Sequence, residues 1–152
     1  MIYIGIDPGK QGAVAIIDPA NVTIIPWDDE KFVDAMKIVT TLSYRNKPEK
    51  AVAAVEKVGA MPHQGVSSMF SFGKSAGYIE GVLAANRIPY QLVPPAKWKK
   101  EFGLIGKDKR EAIIVCKKLF PGINLLPTER CRTESDGMAD ALLMAEYARR
   151  KM

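Results

Sequence analysis

Four carboxylates fall where acidic side chains are costly unless something offsets their charge. Asp7 closes the alternation of Ile2, Ile4 and Ile6 in the stretch GIDPG, and Glu56 ends the continuously apolar run Ala51 to Val55 in AVAAVEKVG. Asp136 and Asp140 stand four apart in SDGMADALLMAEYA, a spacing that shows both on one face of a helix. That face continues through Leu143, Met144 and Tyr147, so its lower part belongs on a core and its first two turns at a rim. Carboxylates gathered in one place repel one another and resist desolvation until cations compensate them. Hard oxygen ligands of this kind suit Mg²⁺, with Mn²⁺ able to substitute. Two such ions per site can activate a water, stabilise a leaving oxygen and perform an in-line displacement at phosphorus. The chemistry these acids predict is metal-dependent phosphodiester hydrolysis.

Each acid also has an ordinary reading when taken alone. An Asp before Pro-Gly is common turn chemistry, and Glu56 reads equally as a solvent-facing strand end. Asp136 could serve the N-terminus of its helix, with Thr133 as cap and Asp136 closing a capping-box-like pair. Asp140 has no such alternative, because it lies between alanines on the stripe of Leu143. The cluster has one economical explanation that the separate acids lack.

For these side chains to meet, the elements around them must be arranged accordingly. Ile2 to Ile6, Ala13 to Ile17 and Val22 to Ile25 read as three strands joined by turns at Gly9–Gly12 and Asp18–Asn21, an antiparallel meander. A helix is predicted over about Asp29 to Leu42, with Asp28, Asp29 and Glu30 at the end that favours negative charge. Ala51 to Glu56 has the pattern of a buried central strand. If it lies beside and parallel to the first strand, Asp7 and Glu56 emerge at the same sheet end, where open α/β sheets place their sites. Further helices are predicted at about Val66 to Asn86, Ala96 to Phe102, Lys109 to Phe120 and Ser135 to Arg149, with a strand at Tyr90 to Val93. Together these predict one α/β domain over residues 1–152 with a mixed sheet.

Composition narrows the partner. The net charge is +5 over 152 residues. Residues 1–93 carry nine Lys/Arg and nine Asp/Glu, whereas residues 94–152 carry thirteen against eight and hold the whole excess. Segregation of this kind points to a polyanion met from one side. No apolar run approaches membrane-spanning length, and Asp7 and Lys10 fall where a signal peptide would be apolar. Cys116 and Cys131 match no paired metal spacing and read as free thiols of a reducing cytosol. The expected location is the cytoplasm of a bacterial or phage-infected cell, with no membrane partner and no nucleotide cofactor.

The segments GIDPGKQGAVAIID, AVAAVEKVG, PPAKWKKEFGL, KDKREAI and SDGMADALLMA, in this order along nearly the whole chain, resemble the RuvC-type Holliday junction resolvases, particularly the small phage-encoded branch. The resemblance implies an RNase H-like fold with a five-stranded mixed sheet flanked by helices. It also implies a homodimer presenting two sites to a four-way DNA junction, with two Mg²⁺ per site. By position, Asp7, Glu56 and Asp140 would be metal ligands and Asp136 the fourth. The bacterial resolvases usually space the last two acids by three rather than four, and both spacings keep them on one helix face. Lys109 falls where the family carries a lysine near the scissile phosphate, and Lys97 or Lys99 falls near a second. Lys100, Lys107 and Arg110 extend this basic stretch as DNA contacts. His63 and Met61 lie in the loop after Glu56 and Phe70 just past it, a region from which the family inserts side chains into the junction; His63 is a further candidate phosphate contact.

Gly73, Gly77 and Gly81 recur every four residues in FGKSAGYIEGVLAA and form a smooth ridge, suited either to packing on the sheet or to a dimer seam. GIDPGKQGAVAIID also resembles the first phosphate loop of actin-like ATPases, but those bind ATP between two large lobes and this chain provides one. Two other readings share most of these residues: an RNase H-fold nuclease acting on structured RNA, and a non-catalytic branched-DNA-binding protein. The four acids argue against the latter, since a pure DNA binder gains by losing negative charge beside phosphates.

Overall fold

The computed structural model describes residues 1–45, 50–57, 59 and 65–152. A five-stranded sheet is built from β1 (Ile2–Asp7), β2 (Ala13–Ile17), β3 (Val22–Pro26), β4 (Ala51–Glu56) and β5 (Tyr90–Val93), in the order β3-β2-β1-β4-β5. The β1-β2-β3 meander is antiparallel, while β4 pairs parallel with β1 and β5 parallel with β4. The helices are α1 (Asp29–Arg45), α2 (Val66–Ala85), α3 (Pro95–Glu101), α4 (Lys109–Leu119) and α5 (Asp136–Lys151). The predicted elements are all present, with boundaries moved by a few residues at most.

The period-2 alternation of β1 sorts the two faces of the sheet. Ile2, Ile4 and Ile6 join Val14, Ala53 and Val55 in a core with Phe32 and Met36 of α1 and Ile79 and Leu83 of α2. The opposite face is lined by Ala13, Ala15 and Ala54 and receives α5 together with α3 and α4. Its residues are small, and so are those that α5 brings to it: Ala139, Ala141, Ala145 and Ala148 are all fully buried. Gly5 makes the close approach possible, because a Cβ there would overlap the Ala141 carbonyl oxygen and the Ala145 amide nitrogen. Gly137 does the same one turn higher, against the Gln11 carbonyl oxygen in the β1–β2 turn.

Two caps settle local details. Asp28 accepts from the Lys31 amide at 2.9 Å and so starts α1. Ser135, rather than Thr133, caps α5 by accepting from the Met138 amide at 3.2 Å; Asp136 is thereby the first helical residue. At the far end of α5, Glu146 is buried yet accepts from Arg149 at 2.7 Å and from Arg150 at 2.8 Å. Arg150 and Lys151 also reach Glu101, which ties the end of α3 to the end of α5.

Among the described residues, nothing packs on the glycine ridge. A Cβ added at Gly73, Gly77 or Gly81 meets nothing within 4 Å. Val66 and Phe70, on the first turns of the same helix, are also widely exposed. Of the two readings of the ridge, packing on the sheet is excluded.

Candidate active site

Asp7 and Glu56 are brought together by strand register. β1 and β4 pair in parallel with Ile6 opposite Val55, so the next residues, Asp7 and Glu56, stand level on neighbouring strands about 4.8 Å apart. Both share side-chain parity with Gly5 and Ala54, which places them on the face that receives α5. That helix then supplies the other two acids. Its contact with Gly5 through Ala141 and Ala145, and with the β1–β2 turn through Gly137, sets Asp136 and Asp140 over the same sheet end.

The electrostatics record this convergence. The Asp7 carboxyl is pushed up to about 6 by burial first, then by the charges of Glu56 and Asp136, against an opposing Gly9 amide and Lys99. Asp140 is pushed up to about 7 by burial and by Asp7, with Glu56 and Asp136 adding and Lys99 opposing. Asp7 and Asp140 therefore each feel the charges of Glu56 and Asp136. Among the described residues, no three ligand side chains stand close enough to enclose an ion in these rotamers. The donor set nonetheless fits a hard divalent cation: it is all carboxylate, and Asp7 and Asp140 are raised by burial and then by like charge, a cost that a cation offsets.

Two lysines answer the acids. Lys109, at the first position of α4, places Nζ 3.1 Å from Asp136 Oδ2, and its own pKa is raised by that bond and by Asp140 and Asp7. Asp108 caps this helix through the Arg110 amide at 2.9 Å, fixing the turn that aims Lys109. On α3, Lys99 is the lysine whose charge acts on Asp7 and Asp140, while Lys97 and Lys100 are exposed. Lys107 and Arg110 are exposed beside Lys109. His63 and Met61 lie outside the described residues.

One contact had no counterpart in the sequence reading. The indole of Trp98, in α3 and fully buried, donates Nε1–H to Glu56 Oε1 at 2.9 Å. Glu56 is thus not a loose strand end. The only signal was an aromatic residue set among lysines in PAKWKKE.

The five-stranded mixed sheet in this strand order, flanked by helices, is that of the RNase H-like class of α/β fold. Within it, the chain has the fold of RuvC. It is similar to Thermus thermophilus RuvC solved in complex with a Holliday junction substrate, with a TM-score of 0.61 and 17% identity over 99% of this chain and 96% of that one. A second T. thermophilus RuvC structure gives a TM-score of 0.54 at 15% identity, covering 95% of this chain and 91% of the other. No protein-family model and no curated protein sequence matches. Among the described residues, no helix is long and apolar enough to cross a membrane.

Proposed function

We propose that this chain is a divalent-metal-dependent endonuclease that resolves branched DNA, four-way junctions foremost, as a homodimer nicking symmetrically. The observation that carries this reading is the mutual electrostatic raising of Asp7 and Asp140 at a site also shared by Glu56 and Asp136. The RuvC fold, whose T. thermophilus representative was solved with a Holliday junction, supports the choice of substrate. Asp7, Glu56 and Asp140 would hold Mg²⁺ or Mn²⁺, two ions per site, with Asp136 as the fourth acid. Bound ions of this kind supply Lewis acidity and a more acidic water.

The chain's own groups do the rest. Lys109 and Lys99 offer point charges to non-bridging phosphate oxygens, and Lys109 can leave Asp136 for phosphate because its side chain is largely exposed. Lys97, Lys100, Lys107 and Arg110 continue the cationic surface along the DNA backbone. The open ridge of Gly73, Gly77 and Gly81 supports a seam between two copies, with exposed Phe70 beside it to meet the junction centre.

The test is a metal-dependent cleavage panel of four-way, three-way, flap and linear duplex DNA together with a structured RNA. Preferred cleavage of the four-way junction is expected. Cleavage of the RNA alone would move the protein to the RNA-processing relatives of this fold, and binding without cleavage would leave a junction-binding module.

A further inference from the structure

Glu56 is held from behind by a residue that makes no contact with substrate in the reading above. β5 ends at Val93, level with Glu56 on β4, and the Lys57 amide extends that ladder by bonding the Val93 carbonyl at 2.8 Å. The chain turns through Pro94 directly into α3, so Trp98 arrives five residues after a position already registered with Glu56. Trp98 is fully buried in the core that it shares with Val93, Leu104 and the residues of α5. Its single polar atom is spent on one oxygen of the Glu56 carboxylate. The next residue, Lys99, lies with its ammonium 5.3 Å from the centroid of the same indole. One rigid ring therefore touches both an acid and a cation of the site.

We propose that Trp98 is the positioning residue of this centre: it fixes the Glu56 rotamer so that the second oxygen is presented to a divalent cation, and it backs Lys99. The proposal rests on the metal-site reading of the four acids. A carboxylate free to rotate loses more order on gaining a cation than one already clamped, and partners of this kind typically change metal affinity about 10-fold or more. A buried indole needs some acceptor. A purely structural role would be served by any carbonyl, and its loss would act on folding rather than through Glu56.

The experiment separates these roles. Mn²⁺ affinity without DNA is measured by calorimetry for the wild type, Trp98→Phe, Glu56→Ala and the double variant. Trp98→Phe keeps an aromatic ring but no N–H. It is expected to bind Mn²⁺ about 10-fold more weakly, to need correspondingly more Mg²⁺ for full cleavage, and to bind junction DNA in EDTA as the wild type does. In the Glu56→Ala background, Trp98→Phe should cost nothing further. Wild-type Mn²⁺ affinity in Trp98→Phe, or an equal loss in both backgrounds, would overturn the proposal.

Should Trp98→Phe not fold, the indole N–H resonances decide. The chain has two tryptophans, and Trp27 bonds elsewhere, to Asp29. Mg²⁺ should move the Trp98 signal in the wild type and not in Glu56→Ala; an unmoved Trp98 signal overturns the proposal. A wild type with no Mn²⁺ binding would instead sink the metal-nuclease reading. The Trp98 bond to Glu56 would still be read, independently of metal, from the Trp98 shift in Glu56→Ala.

Discussion

Asp140 is the residue whose environment says most about what the site needs. It is raised to about 7, and Asp7 to about 6, by burial and by neighbouring carboxylates. Each is an acid whose folded pKa lies above its unfolded value, so the native state binds protons more readily than the unfolded chain. Without divalent metal, stability is therefore fully present below about pH 4 as far as these groups are concerned, and falls as pH rises through about 6 to 7. Asp140→Asn should flatten that slope in thermal melts recorded between pH 4 and 8. Because ligands must be deprotonated, the Mg²⁺ concentration for half-maximal cleavage should drop over the same range; a pH-independent Mg²⁺ requirement would count against these acids as ligands. Asp7→Asn and Asp140→Asn should each abolish cleavage while junction binding stays intact or tightens. Lys109→Ala should slow cleavage on the order of 10²-fold, with much less effect on the dissociation constant. An equal loss in both would make it an ordinary backbone contact.

At the scale of elements, the site depends on how deeply α5 settles on the sheet. The small residues of β1, β2 and β4 meet the alanines of α5, and Gly5 lets the helix backbone touch the strand. Gly5→Ala places a methyl group against backbone atoms that cannot rotate away. Overpacking of this sort costs about 1–3 kcal/mol or more, and for about 2 kcal/mol the thermal midpoint should fall by roughly 4–8 °C. Cleavage should fall further than stability explains, since the displaced helix carries Asp136 and Asp140; an active, fully stable variant would show that the close approach is dispensable. The order of these elements was legible because β1 alternates cleanly and Ala51 to Val55 is unbroken. The depth of the helix was not, because Gly5 in a strand and alanines in a helix are each unremarkable until they face one another.

On the scale of the whole molecule, the excess positive charge of residues 94–152 lies on the elements that flank the acids, α3 and α4 with their connecting turn. Junction binding should weaken steeply with salt, and removing Lys100 or Lys107 should each lower the log–log slope by about 1. The exposed glycine ridge of α2 gives the proposed dimer a separate test. A Cβ at Gly77 meets nothing among the described residues, so Gly77→Glu should leave folding unaffected while sedimentation shifts from dimer to monomer. A dimer unchanged by the substitution would place the seam elsewhere.

The identity of the acids and their order along the chain were in the sequence. An apolar run that ends in a carboxylate, or a helical stripe interrupted by one, is visible wherever local periodicity is. Local pattern also supplied the five strands, the helices and the basic half. Tertiary structure alone decided what each acid touches. Register made Asp7 and Glu56 neighbours, a glycine-lined contact delivered Asp140, and Trp98 reached Glu56 across 42 residues of chain. It also set Lys99, rather than Lys97, where its charge acts on Asp7 and Asp140, turned Gly73, Gly77 and Gly81 outward, and buried Glu146 beneath two arginines. These are long-range pairings, and a side chain's type does not reveal its partner when that partner arrives from another element.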